Sequence, residues 1–351
     1  MSVEREFVSL EPAGQARAGA GGRPCQGVFY RPSGKQPTTA LIATHYDVDF
    51  SEHYLADFMA ERGYGFLGWN TRYRGLGTYF SLENAVVDIG AGVRWLREEA
   101  GIERLVIVGN SGGASLMSAY QSQAEGRDRA DLFVSLCAHL GRPDVLTLWL
   151  DPSVTDEFDP LGADPALDMF NPDNGPPYSP EFVERYRAAQ VDRNDRITAW
   201  CKAELQRLAE HGAFDRVFPM YRAWADLRFL DLALDPSDRE TGCYFGDPKF
   251  ANYSPFNLGV TNTCRSWLNM WSLSESNCRA GPHLAKVTEP ALVVQSTGDK
   301  GCFPSDARMI HDGLASSDKR LEFVPGDHYL QTPASARDDV ADLIAAWLAQ
   351  H

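Results

Sequence analysis

The chain has no C-x-x-C pair, no cluster of lysine and arginine, no long uninterrupted apolar run and no low-complexity tract. Each absence excludes a class of protein. The seven cysteines (Cys25, Cys137, Cys201, Cys243, Cys264, Cys278 and Cys302) are scattered and odd in number. That argues against a disulfide framework or a zinc ribbon and for the reduced thiols of a cytoplasmic protein. The 33 basic residues are dispersed among 48 acidic ones, for a net charge of −15. No basic face is available to track a phosphate backbone, so nucleic acid is not an expected partner. No segment approaches the roughly 18 to 20 apolar residues of a membrane span. The opening "MSVEREFVSLEPAG" lacks the basic and apolar regions of a secretory leader. Membrane association is therefore not expected, and no repeat appears at solenoid or propeller periods.

The composition that is present suits a folded enzyme-sized domain. Of 351 residues, 44% are hydrophobic, enough for one large core or for a core with a smaller subdomain. Short strand-like runs alternate with helical patterns in the first third. "QGVFYRP" reads as a strand, "ALIATHY" (40–46) as a more buried one, and "SEHYLADFMAERG" as an amphipathic helix stopped by Gly63. "GFLGWNT" is the next strand, "NAVVDIGAGVRWLREEAG" a helix ended by Gly101, and "RLVIVGN" a strand. This β-α-β-α-β order predicts a mostly parallel sheet with helices on both faces. The alternation resumes with "ALVVQSTGD" (291–299), the helical "SDARMIHDGL" and "RLEFVPGDHY" (320–329). A last helix places Val340, Leu343, Ile344, Trp347 and Leu348 on one side.

Between these regions the pattern changes. After the strand "LFVSLCAHL", no parallel-strand run is legible from about residue 144 to about 283. A proline-rich stretch leads to Ser179, a predicted N-cap with Pro180 at the first helical position, and then to a long helical pattern. The expected division is a core of residues 1–142 and 284–351 with a mainly helical insertion over 143–283.

The chemistry centres on "RLVIVGNSGGASLMSAY". Gly109-Asn110-Ser111-Gly112-Gly113 fits G-x-S-x-G with a strand before it and a helix of small apolar residues after it. The turn is sharp enough to need a strained serine backbone, and glycine on either side avoids clashes. The alternative is a plain Ser/Gly turn feeding a helix, with phosphate binding at the helix end as a variant. A serine hydroxyl is a weak nucleophile until a base takes its proton and an acid orients that base. In an α/β sheet these partners come from later strand ends, in the order serine, acid, histidine. Asp299 follows "ALVVQST" and His328 follows "RLEFVP", in that order. Asp144 is an alternative acid, and Asp299 could instead cap its own loop. Asp327 would point away from its neighbour His328 on an extended segment. His45, His53 and His311 come on earlier strands or helices and read as structural.

With these three positions the chain resembles the α/β-hydrolase superfamily, over about residues 25–142 and 284–350. The resemblance implies an oxyanion hole built from the backbone N–H of Gly112 and a second N–H from the loop after "LIATHY". Relatives carry His-Gly in that loop, whereas this chain has His45-Tyr46-Asp47. Tyr46 can supply its backbone N–H, and its phenol either donates a hydrogen bond or walls the pocket. "NTRYRGLG" (70–77) matches a supporting loop of many relatives, with Asn70 in place of aspartate. The insertion falls where the family carries a cap after the sixth core strand. Tyr221, Trp224, Tyr253, Phe256, Trp267 and Trp271 could line a pocket there, with His45 from the core, or could form the insertion's own interior.

The function this implies is metal- and cofactor-independent hydrolysis of a carboxylic ester, or a thioester or lactone. The expected partner is a small molecule, tilted toward a bulky apolar or aromatic substrate, with an oligomer left open. Carbon–carbon bond hydrolysis of a diketone and acyl transfer use the same triad. A ligand-binding relative that kept the fold is the non-enzymatic alternative.

Overall fold

The computed structural model describes residues 2–11, 24–255 and 259–351. Phe256 falls outside the described residues. The chain divides into two compact units. The first comprises Met1–Leu76, Leu82–Gly141 and Arg279–His351, and the second Gly77–Ser81 with Arg142–Cys278.

The first unit is built on an eight-stranded sheet. Its strands are β1 (Val3–Leu10), β2 (Cys25–Pro32), β3 (Thr39–Ala43), β4 (Gly65–Asn70), β5 (Arg104–Asn110) and β6 (Leu132–Leu136), joined later in the chain by two more. The second unit contributes the short pair β7 (Val217–Pro219) and β8 (Thr261–Thr263), which is antiparallel. The last core strands are β9 (Ala291–Ser296) and β10 (Lys319–Val324). The sheet order is β1-β2-β4-β3-β5-β6-β9-β10, antiparallel at β1-β2 and β2-β4 and parallel from β4 onward. β3, β5, β6 and β9 are hydrophobic over nearly their whole length and buried, as parallel strands covered on both faces must be. A crossover in strand order on either side of β3 brings the C-terminal ends of β3 and β5 together, the position where open α/β sheets place ligands.

The helices are α1 (Ala56–Glu61), α2 (Leu82–Glu98), α3 (Gly113–Gln121), α4 (Arg142–Trp149), α5 (Pro180–Glu210), α6 (Pro248–Tyr253), α7 (Cys264–Ser266), α8 (Gly281–Leu284), α9 (Pro304–Gly313) and α10 (Ala336–Leu348). One side of the sheet is sealed by α1 and α10, whose Ala56, Met59, Val340, Ile344 and Trp347 pack against Leu41, Phe66, Val106, Val134 and Leu292.

Two elements depart from the sequence reading. The helix predicted over 51–63 begins only at Ala56. The His53 ring takes the N–H of Leu55 through Nδ1 at 3.2 Å, and the His53 carbonyl takes that of Ala56 at 2.8 Å, so residues before Ala56 form a turn. The strand β1 has no counterpart in the sequence reading. Only Val8 on it is buried, so the alternation that marks a half-buried strand is faint.

In the second unit, the hydroxyl of Ser179 accepts the Phe182 N–H at 3.2 Å and Pro180 opens α5. The helix packs Phe182 and Tyr186 against Met169, Tyr178, Ala225 and Leu227. Ion pairs with buried carboxylates add to the packing of this unit. Asp226 is held by Arg187 at 2.7 Å and Arg228 at 2.8 Å, and Asp151 by Arg222 at 2.6 Å. Burial alone would raise the Asp226 pKa. The two arginine charges outweigh it and hold that carboxyl below its ordinary value.

Candidate active site

β5 ends in Asn110 and α3 begins at Gly113, so the chain reverses within two residues. Ser111 carries the bend at φ 54°, a left-handed conformation that costs a non-glycine residue about 1–3 kcal/mol. Bonds on either side hold it there. Its N–H donates to the Leu136 carbonyl at 3.1 Å, and its carbonyl accepts the Ala114 N–H at 3.3 Å. The glycines answer to specific neighbours. A Cβ on Gly109 would stand 2.6 Å from the Ala114 Cα, and one on Gly113 would overlap the Thr44 carbonyl oxygen. Beneath the turn, the Tyr46 hydroxyl meets Ser115 Oγ at 2.8 Å, and that hydroxyl donates to the Gly112 carbonyl at 3.2 Å.

Asp299 lies three residues beyond β9 and His328 four beyond β10, at the same edge of the sheet as Ser111. His328 Nδ1 stands 2.7 Å from Asp299 Oδ2, with both side chains buried. The other carboxylate oxygen accepts the N–H groups of Gly301 at 2.9 Å and Cys302 at 3.0 Å. Asp299 therefore both caps its loop and engages the histidine. Asp327 spends its carboxylate on the N–H groups of Tyr329 and Gln331. Asp144 sits on α4 of the second unit.

Ser111 and His328 line one cavity of about 280 Å³, together with His45, Val48, Asp49, Phe50, Glu52, His53, Tyr54, Asn110, Tyr329, Gln331 and Arg337. His45 stacks near Phe50, with ring centres 5.2 Å apart. His53 gives its Nε2 side to Asn110 Oδ1 at 3.2 Å, and Asn110 donates to the Leu136 carbonyl at 2.9 Å. Burial drives the His53 pKa down to about 3, so this histidine is neutral. Asn70 braces the wall: it accepts the Phe50 N–H at 2.8 Å and donates to Asp49 and to Ser51.

Tyr46 is fully buried, and its phenol goes to Ser115. Tyr46 is not among the residues that line the cavity. The chain just before Tyr46 runs beside the elbow, where a Cβ on Gly113 would stand 2.2 Å from the Thr44 carbonyl oxygen and 3.6 Å from the His45 Cα. His139 was missed in the sequence. Its Nδ1 accepts the Gly141 N–H at 3.2 Å, which leaves the proton of the neutral ring on Nε2, 3.3 Å from where a Cβ on Gly112 would sit. The available signal was position: His139 follows β6 by three residues, at the strand end where Ser111, Asp299 and His328 also lie. His311, on α9, meets Asp312 at the surface.

Of the aromatic residues suggested for a pocket, Trp224, Trp267 and Trp271 are buried in the second unit, whereas Tyr253 is exposed. Trp224 stacks on Trp149 at 4.5 Å, Trp267 donates to Thr198 at 3.0 Å, and Trp271 faces Arg142. The carbonyl of Tyr221 accepts from Arg193, and the Tyr253 ring lies under Arg222.

Two further groups bear on the chemistry. Cys137, after β6, contacts Ser296 Oγ, and burial pushes its thiol up to about 12, so it is no thiolate rival to Ser111. Asp299, Cys302 and His328 hold potential metal-ligand atoms within 4.8 Å of one another. Of these, Asp299 and His328 are bonded directly.

Solved structures similar to this chain run nearly end to end with it. The esterase domain of a Rhodothermus marinus protein covers 98% of this chain and 97% of its own at 14% identity and a TM-score of 0.50. The α/β hydrolase GrgF from Penicillium sp. sh18 covers 99% and 97% at 11% identity and 0.56. DcsB, in complex with its substrate analogue, covers 99% of both at 12% identity and 0.59. The chain has the α/β-hydrolase fold. No family model matches the sequence, and no curated protein matches it. Among the described residues, no helix of this α/β-hydrolase fold is long and apolar enough to cross a membrane.

Proposed function

We propose that the chain is a serine hydrolase that cleaves a carboxylic ester through Ser111, His328 and Asp299. One observation carries the reading. A strained serine at a strand-to-helix turn shares a cavity with a histidine whose other nitrogen is 2.7 Å from a buried carboxylate. With the Nδ1 proton directed to Asp299, Nε2 of His328 is the nitrogen that takes the Ser111 proton. The alkoxide attacks the ester carbonyl, and the oxyanion is met by the N–H of Gly112, at the positive end of α3, and by that of Tyr46. His328 returns its proton to the departing alcohol, and water then clears the acyl-enzyme by the same path. The fold is one that the Rhodothermus marinus esterase domain shares.

The test is release of 4-nitrophenol from a series of neutral 4-nitrophenyl esters by wild type and by Ser111→Ala. Saturable turnover that falls by at least about 10³-fold in the variant is the expected outcome. Equal rates in the two proteins would reject the reading.

A further inference from the structure

The cavity that holds Ser111 and His328 also holds a charge that ester hydrolysis does not use. Arg337, the second residue of α10, lines it half-buried. Its Nε–H donates to the Tyr329 carbonyl at 3.2 Å, and its guanidinium carbon stands 5.4 Å from the centre of the Tyr54 ring. The Tyr54 hydroxyl is buried beside Asn110, the residue before the serine, without meeting hydrogen-bond geometry. One aromatic ring thus separates the cation from the elbow.

What this arginine lacks is a carboxylate: among the described residues none lies within ion-pair distance of it. Four of the acidic groups nearby are engaged elsewhere. Asp49 accepts from Ser51 and Asn70 and pairs with Arg74, and Asp327 accepts two backbone N–H groups. Asp338 pairs with Arg62 and Asp299 with His328. Glu52, also on the cavity lining, is exposed to solvent. Arg337 also occupies the first turn of a helix, where the helix dipole disfavours a cation. A chain with 48 acidic and 33 basic residues has carboxylates to spare, yet leaves this arginine facing the cavity without one.

We propose that Arg337 anchors a carboxylate on the substrate, so that the ester cleaved at Ser111 is an anionic one. The proposal rests on the hydrolase reading above. The carboxylate lies about one aromatic ring's length from the scissile carbonyl, on the Tyr54 side. With Nε committed to Tyr329, the two terminal amino groups remain to meet a planar carboxylate side by side. A phosphate dianion would call for a second fixed cation, and no other arginine or lysine is among the residues lining the cavity.

The experiment compares matched esters that differ only in this charge: 4-nitrophenyl hydrogen adipate with its neutral amide, and acetylated 4-hydroxybenzoic acid with its amide. The first pair carries the carboxylate on the acyl side and the second on the alcohol side. In at least one pair, wild type is expected to favour the acid over the amide in kcat/KM by about tenfold or more. Arg337→Gln should remove that preference and Arg337→Lys retain part of it. The acid-to-amide ratio cancels any general loss of activity. No preference in either pair, or one that survives Arg337→Gln, overturns the proposal. Calorimetric binding of the same esters to Ser111→Ala, with and without Arg337→Gln, decides on Arg337 even if nothing is turned over. Absence of turnover by itself rejects only the hydrolase reading.

Discussion

Ser111 keeps its left-handed backbone because its N–H donates to the Leu136 carbonyl and its own carbonyl accepts from Ala114, and strain of this kind collects at functional sites. The partner across the cavity is equally constrained, since Asp299 is fixed by two backbone N–H groups before it touches His328. Replacing Asp299 by Asn should therefore keep the loop but lose the carboxylate that orients the imidazole. We expect kcat to fall on the order of 10³- to 10⁴-fold with KM little changed, read from steady-state kinetics on a neutral ester. His53 makes a second prediction. Its pKa is depressed by burial to about 3 in the folded chain and returns to about 6.5 on unfolding. The neutral ring thus contributes stability in full above about pH 6.5, and that contribution is lost as pH falls from there toward 3. Wild type should lose about 1.4 kcal/mol per pH unit below 6.5 relative to His53→Gln, measured by denaturant unfolding from pH 7.5 to 5. A pH-independent difference between the two proteins would contradict the burial argument. At this scale the candidate residues Ser111, Asp299 and His328 were legible, because each follows a recognisable strand. Arg337 and Tyr54 were not, because nothing in their local sequence distinguishes a residue facing a cavity from one facing solvent.

The turn between β5 and α3 shows what the motif's glycines are for. A Cβ on Gly113 meets the Thr44 backbone, which cannot move without breaking β3 away from its neighbours, whereas one on Gly112 meets the ends of the His45 and His139 rings. Gly113→Ala should cost at least about 3 kcal/mol, the upper end for overpacking, while Gly112→Ala should melt much closer to wild type. Thermal unfolding of the two variants side by side checks this. In the second unit, Arg222 is the buried counter-charge of Asp151. Arg222→Ala leaves that carboxylate with only Ser153 and Asn252, so a loss of about 3–5 kcal/mol is expected in the same measurement. The parallel strands were legible because continuous apolar runs mark strands covered on both faces. The start of α1 was obscured because His53 supplies a side-chain acceptor to the backbone, and β1 because an edge strand with one buried residue carries almost no pattern.

For the whole molecule, the mostly parallel sheet was readable from the alternation of elements, since parallel crossovers permit few topologies. The antiparallel pairing of β7 and β8 in the second unit was not, because three-residue strands are too short to show a period. Substrate preference was legible least of all. The cavity wall is assembled from residues 45–54, 110–111 and 328–337, stretches far apart in sequence that share no motif. The central claim is that folding activates one serine in this chain, and intact-mass analysis after treatment with a small fluorophosphonate tests it most directly. The account predicts a single adduct on the native protein, absent in Ser111→Ala and formed far more slowly in His328→Ala. A folded native protein that takes up no label, or that is labelled equally after Ser111→Ala, would contradict it.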